Sequence, residues 1–310
     1  MNWKTRAALM KVCSRLPASE SLYKEIQRRF GRLNGDPKKR LPEAIQVASA
    51  ISRFRNFQGS RILEIGTGNT PRLPLLLHIM GAGEIVTCDI HKRLDPKIAL
   101  ETAQMIAADS QEYGRLLAIP SAAPNDVSAR AEQLNGSTIS EVLHQANIVY
   151  LAPLDATQTG FPAHTFDVVY SVAVLEHVNR VVLLDILKET ARILAPGGIA
   201  VHLIDLSDHF AHTDPAITAV NFLQYSDHRW RQIAGNQFAY HNRLREPEYV
   251  GLFRQAGLRL LSWRTGTDGA ALEQIQEGRL SVDAQFSSYT PDTLATVEIE
   301  AVASPSTVTA

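Results

Sequence analysis

A glycine-bearing turn, Leu63-Glu64-Ile65-Gly66-Thr67-Gly68, constrains this chain more than any other stretch. An apolar run over 61–65 leads into it, and the segment 73–80 behind it has helical character. Gly81-Ala82-Gly83 breaks that helix, and a second apolar strand over 84–90 carries Asp89 at its end. A β-α-β unit with a glycine turn at its first strand-to-helix junction, and a carboxylate about 20 residues on, is the layout of a crevice for an adenosine-bearing ligand. Gly66 and Gly68 lack a Cβ, so the backbone can turn sharply and a ligand can lie against it. Glu64 places an acid where it repels a pyrophosphate and attracts a cationic amine. Asp89 can accept hydrogen bonds from both hydroxyls of a ribose. The third glycine of a dinucleotide fingerprint is missing, and Thr70 and Pro71 occupy that region. Alone, the glycine pair equally suits an ordinary strand-to-helix turn.

Later segments add to the pattern. Thr165-Phe166-Asp167-Val168-Val169-Tyr170-Ser171 reads as a buried strand, followed by Leu175-Glu176-His177-Val178. A helical segment over 181–194 ends at Ala195-Pro196-Gly197-Gly198, and 199–204 is another apolar strand. In order and spacing this set resembles the class I S-adenosylmethionine-dependent methyltransferases, in particular the broad group with a Leu-Glu-His segment after the fourth strand. The resemblance covers about 61–204. It implies a Rossmann-like, doubly wound, mostly parallel seven-stranded α/β sheet with an antiparallel last strand, plus N-terminal helices and helical insertions. It also implies S-adenosyl-L-methionine (AdoMet) as cofactor and S-adenosyl-L-homocysteine as product. Carried over by residue, Glu64, Gly66 and Gly68 line the methionine end, Glu64 near the ammonium. Asp89 holds the ribose, Ile90 flanks the adenine, Asp155 and Ala156 sit at the adenine edge, and Ser171 and Val172 border the sulfonium.

The length suits one large α/β domain with additions. The organisation read from it is a basic helical cap over 1–57, a methyltransferase body over 58–303 and a loose tail over 304–310. The body carries helical insertions at about 97–146 and 205–245. Helices are expected over 42–57, 97–117, 126–134 and 140–146, and the last two strands over 258–263 and 294–302. No apolar run approaches the roughly 20 residues of a membrane span. Cys13 and Cys88 are too few and too separated for a disulfide framework, so the expected setting is a reducing cytoplasm.

The formal net charge of −1 hides an asymmetry. Lys4, Arg6, Lys11, Arg15, Lys24, Arg28, Arg29, Arg32, Lys38, Lys39 and Arg40 face only Glu20, Glu25 and Asp36 in the first forty residues, so the remainder is acidic. Leu9, Val12 and Leu16, then Leu22, Ile26 and Phe30, recur at helical spacing. Such a stretch suits either an ordinary amphipathic cap or peripheral contact with an anionic membrane. The acidic body and the lack of an RNA-binding module argue against nucleic acid as a partner.

Methyl transfer from a sulfonium is an in-line displacement, which needs both partners positioned and, for a hydroxyl acceptor, a proton removed. The segment from His202 to Asp214 also supplies Asp205, Asp208, His209 and His212. His209 is the first choice as base, because histidine titrates near neutrality. Asp208 or Asp205 would orient it, and His177 lies where the crevice should be. These groups can instead form a hydrogen-bonded network closing the fifth strand, and a divalent metal held by them is the less favoured reading. His212, Tyr240 and Arg243 are substrate-binding candidates, the last with Arg245 as a grip for a carboxylate or phosphate. Trp230, Phe238 and Tyr240 suggest an aromatic wall. The function expected is methylation of a small or medium-sized acceptor, at a hydroxyl oxygen of a sugar, glycan-linked group or specialised metabolite. Two other readings compete: a non-catalytic methyltransferase-like binding module, and an NAD(P)-dependent oxidoreductase, which the absent third glycine weakens.

Overall fold

A computed structural model describes residues 2–16, 25, 35–120 and 122–306 of the chain. The expected helix face Leu22, Ile26 and Phe30 lies outside the described residues, as do the basic Lys24, Arg28, Arg29 and Arg32. Along the chain the elements run α1 (Trp3–Cys13), α2 (Leu41–Ser52), β1 (Ile62–Ile65), α3 (Arg72–Ile79), β2 (Ile85–Cys88), α4 (Pro96–Ala108), α5 (Ser110–Leu116), α6 (Pro124–Glu132) and α7 (Ile139–Gln145). They continue with β3 (Ile148–Leu151), β4 (Phe166–Val172), α8 (Arg180–Ile193), β5 (Leu194–Asp205), α9 (Asp227–Ala234), α10 (Glu246–Gln255), β6 (Leu258–Thr267), α11 (Gly269–Gln276), α12 (Pro291–Ala295) and β7 (Thr296–Pro305).

The seven strands form one sheet in the order β3-β2-β1-β4-β5-β7-β6. β1 to β5 pair in parallel, and β7 runs antiparallel to both β5 and β6. This is the Rossmann-like doubly wound sheet expected from the sequence. Strands β1 and β2 are buried throughout, because helices cover both faces of the sheet, and each carries one buried polar residue, Glu64 and Thr87. The order reverses beside β1, so the carboxyl ends of β1 and β4 open a crevice between them.

Boundaries shift where local chemistry decides. The expected helix over 97–117 is two, α4 and α5, because the backbone at Asp109 leaves the helical region (φ −103°, ψ 26°). Ser304 and Pro305, read as the start of a loose tail, instead complete β7 opposite Arg259 and Leu258. The apolar face of α1 is also corrected. Trp3, Ala7, Met10 and Cys13 are buried, whereas Leu9, Val12 and Leu16 are exposed at 48%, 58% and 44%. Trp3 decides this, since its ring packs among Phe210, Tyr225 and Trp230 at centroid distances of 5.7, 5.9 and 6.4 Å.

Three apolar cores result. One lies under α2 to α7 on one face of the sheet, and a second under α8 and α10 on the other. The third joins α1 to the 205–245 insertion and to the β6–β7 connection, through Trp3, Phe210, Phe222, Trp230, Ala271 and Leu294. The 205–245 segment thus has a core of its own, standing over the carboxyl end of β5. Among the described residues no helix is long and apolar enough to cross a membrane.

Candidate functional site

The glycine turn is held open by its own backbone. Gly66 and Gly68 have φ of +96° and +67°, a region that L side chains rarely adopt. A Cβ on Gly66 would stand 2.4 Å from Val174 Cγ2, whereas one on Gly68 would meet nothing within 4 Å. The first glycine therefore lets the loop after β4 approach β1, and the second leaves room for a ligand. Asp89, at the end of β2, accepts from Gly68 N at 3.0 Å and from His91 N at 2.9 Å. Each carboxylate oxygen keeps a further lone pair. Ile90 beside it is an exposed large apolar side chain. Asp155, on the loop after β3, is exposed and caps its own turn by accepting from Thr157 N at 2.8 Å, and Ala156 is buried behind it.

Glu64 is buried more deeply than a ligand contact requires. Tyr170 Oη donates to its Oε1 at 2.9 Å, and Thr87 Oγ1 donates to its Oε2. Burial pushes its carboxyl up to about 7, although both donors pull the other way. Ser171 is likewise fully buried, with its hydroxyl 2.8 Å from His202 Nδ1 on the adjacent β5. Its side chain is occupied inside the sheet and is not free to border a sulfonium, which corrects that expectation.

A second group of polar side chains gathers beyond the ends of β4 and β5. His177, His209 and His241 each offer a ring nitrogen within 4.8 Å of the others. Their ring centroids are 5.0 Å (177–209), 4.9 Å (177–241) and 3.9 Å (209–241) apart. His177 Nδ1 lies 3.0 Å from Tyr240 O, and His241 Nδ1 3.0 Å from Ala239 O. A carbonyl only accepts, so both rings carry the Nδ1 proton and keep a lone pair on Nε2. Asp205, the last residue of β5, stands 3.1 Å from His209 Nε2 and 3.7 Å from His212 Nε2. Burial lowers the His177 and His241 pKa values, His241 most, and the neighbouring histidines add to it. Burial would raise Asp205, but the nearby His209 ring and the hydrogen bond from Ser207 N hold it below the usual carboxylate range. Glu176 is buried beside them with no hydrogen-bond partner on either carboxylate oxygen, and burial pushes it up to about 8.

The loop after β4 joins the two groups. Val174 packs on Gly66, and three residues later His177 enters the histidine group. Asn242 pins that loop, with Nδ2 donating to Leu175 O and Val178 O, both at 2.9 Å.

Several expected roles do not survive. Asp208 does not align His209, because its carboxylate accepts from Phe210 N at 2.9 Å and Asn221 Nδ2 at 3.0 Å and folds the 205–245 segment. Asp205 takes that place. Arg243 is no substrate grip: it is buried, donates to Phe222 O at 2.8 Å and Tyr225 O at 2.6 Å, and pairs with Asp227. Arg245 is fully buried among backbone carbonyls. Tyr240 is half-buried and contributes its carbonyl to His177, and Trp230 belongs to the third core. His212 is exposed, stacked on His209 and 3.0 Å from Ser207 Oγ. Sequence reasoning missed the roles of Glu176 and His241. Each stands next to a residue that was singled out, yet only the turn at Asn242 brings 241 to 177.

His202 lends itself to a pH test. Full burial drops its pKa from the ordinary 6.5 to about 4. The unfolded chain therefore takes up this proton first, and stability should fall as pH drops from about 6.5 toward 4 while staying level above. In His202→Asn the loss of melting temperature between about pH 7 and about pH 5 should shrink. An equal loss in both proteins would show that His202 does not govern the slope.

A family model described as a methyltransferase domain matches residues 38–262, well over half of the chain. No protein of curated function matches. Among solved structures, an S-adenosylmethionine-dependent methyltransferase from Mesorhizobium loti is 15% identical, with 85% of this chain and 99% of that chain covered and a TM-score of 0.45. The [4+2]-cyclase SpnF is 14% identical, with 84% and 81% covered and a TM-score of 0.47. Phosphoethanolamine N-methyltransferase 2 from Haemonchus contortus, in complex with AdoMet, is 13% identical, with 84% and 52% covered and a TM-score of 0.45. With its order of strands, its antiparallel β7 and a family model spanning both the glycine turn and the histidine-bearing loops, this chain belongs to the methyltransferase-domain family and has the class I fold.

Proposed function

We propose that this chain transfers a methyl group from AdoMet to a hydroxyl oxygen of a small or medium-sized polar acceptor, such as a sugar, a glycan-linked group or a specialised metabolite. One observation carries the reading. A single loop packs Val174 against the glycine turn and sets His177 into a histidine group a few residues away, so a donor crevice and a basic face share a wall. The open space at Gly68, the carboxylate of Asp89 and the exposed Ile90 suit the methionine end, ribose and adenine of AdoMet in turn. Bound there, AdoMet supplies a methyl group already activated on a sulfonium. The chain's own part is to hold both partners and to take up a proton. Glu64 lies beneath the turn, held by hydrogen bonds from Tyr170 and Thr87. His209, whose Nε2 lies 3.1 Å from Asp205 Oδ2, is the member of the histidine face that removes the acceptor's proton. Arg243 and Arg245 are committed to the fold, which favours a neutral acceptor over an anionic one.

The test is calorimetric. Asp89→Ala should weaken AdoMet binding roughly 10- to 100-fold, the effect of losing hydrogen bonds to a charged group. The melting temperature should stay close to that of the parent chain. Unchanged affinity would refute the assignment of the crevice. Radiolabelled AdoMet offered with hydroxyl-bearing and amine-bearing acceptors should label the hydroxyl set. Transfer confined to amines would remove the oxygen reading and leave the crevice intact.

A further inference from the structure

The histidine group is built more elaborately than a lone base requires. Its three rings come from three separate segments: the loop after β4, the start of the 205–245 insertion, and its end. Two of the rings have one nitrogen turned to a carbonyl behind them, and the third, His209, has a carboxylate close by. His177 faces Tyr240 O and His241 faces Ala239 O, both at 3.0 Å, and His209 faces Asp205 Oδ2 at 3.1 Å. Metal-ligating histidines are oriented in this way, with the second nitrogen fixed by a carbonyl or carboxylate. His241 is 7% exposed, and its Nε2 has no hydrogen-bond partner. Behind the group, Glu176 is 2% exposed, neither of its carboxylate oxygens is partnered, and Oε1 is 4.0 Å from His177 Nε2. Three close imidazoles and an uncompensated acid make an expensive arrangement for a merely structural polar network.

We propose that His177, His209 and His241 form a binding site for a divalent transition-metal cation, best suited to zinc. Three imidazoles with an open fourth position are a donor set for zinc, cobalt or nickel rather than for magnesium or calcium. Asp205 stands 3.1 Å from His209 Nε2, and Glu176 Oε1 lies 4.0 Å from His177 Nε2. The His177 side chain is 43% exposed, so the group opens to solvent on one side and leaves a route for the cation and for an oxygen ligand. The donors differ from those the sequence suggested. His202, Asp208 and Asp214 are each tied up within the fold, and only His209 of that stretch takes part directly. The site itself rests on ring geometry and not on the AdoMet reading. Its role in turnover does rest on that reading: with the rings committed to a cation, His209 no longer serves as base, and a hydroxyl coordinated at the open position loses its proton to solvent more readily.

The experiment uses the full chain, stripped with chelator and free of AdoMet, titrated with cobalt(II) and then zinc(II). One equivalent should bind, with the visible absorption of low-coordinate cobalt, and zinc should abolish that band. His177→Ala and His209→Ala should each weaken binding at least about tenfold while keeping the parent's melting curve. His228→Ala, which removes an exposed histidine outside the group, should bind like the parent. Three results would overturn the site: no stoichiometric cobalt band, binding that survives both ligand variants, or an equal loss in His228→Ala. AdoMet calorimetry on the metal-free chain is a separate readout, so failure of either proposal leaves the other standing.

Discussion

Replacing Arg245 with alanine is expected to cost about 3–5 kcal/mol of folding stability, the range for stripping one partner from a buried charged network. Arg245 is fully buried, yet among the described residues no carboxylate forms a salt bridge with its guanidinium; its partners are main-chain carbonyls. Nε donates to Leu244 O at 3.1 Å, Nη1 to Leu294 O at 3.3 Å and Thr296 O at 3.2 Å, and Nη2 to Leu206 O at 2.9 Å. Burial lowers its pKa to about 10, which still leaves it charged at neutral pH. Those carbonyls lie just past the end of β5 and around the start of β7, so one side chain satisfies the chain ends where the 205–245 segment is anchored. Arg245→Lys should recover only part of the loss, because an ammonium cannot reproduce the planar fork. Urea unfolding of both variants measures it. A loss under about 1 kcal/mol for the alanine variant would mean that water replaces the guanidinium.

Gly66→Ala should abolish measurable AdoMet binding and lower stability by about 1–3 kcal/mol, the strain of a β-carbon at a left-handed position. The new methyl would lie 2.4 Å from Val174 Cγ2, so either the turn or the loop bearing His177 must move. Gly68→Ala separates strain from crowding. Its φ is also positive, but its methyl meets no protein atom within 4 Å and points into open space. It should lose binding with less loss of stability. If both variants bind AdoMet like the parent, the ligand does not lie against this turn.

The parallel half of the sheet was legible because each strand there is rich in apolar and β-branched residues, and Gly66, Asp89 and Pro153 mark the ends of the first three. Gly66, Gly68 and Asp89 could be placed from spacing alone, since a β-α-β unit fixes where a turn and the end of the next strand must fall. Legibility failed where long-range packing decided the outcome. The stripe Leu9, Val12 and Leu16 has good helical periodicity, but Trp3 outweighs it by filling a cavity among three aromatics more than two hundred residues away. Arg243 and Arg245 read as ligands because arginines on a loop are usually solvated, and nothing local shows that carbonyls from 206, 222 and 294 converge on them. His177 and His209 were each visible singly. Their meeting with His241 depends on the left-handed backbone at Arg243 and on the side chain of Asn242, neither of which has a periodic signature. The helix Gly269–Gln276 went unread: it is short, and its apolar side, Ala271 with the part-buried Leu272 and Ile275, packs against the third core formed by distant segments.

The clasp between the amino terminus and the 205–245 segment has a consequence for biosynthesis. Trp3 N donates to Asp214 Oδ2 at 2.8 Å, a contact spanning 211 positions. On the ribosome the first helix emerges long before anything exists for its tryptophan to grip, and contacts of such separation form slowly. The parallel ribbon can assemble while translation continues. The basic face, whose member His209 lends its carbonyl to Arg6, is completed only once residue 241 has been added. A nascent chain would therefore hold its donor crevice well before it could act on an acceptor.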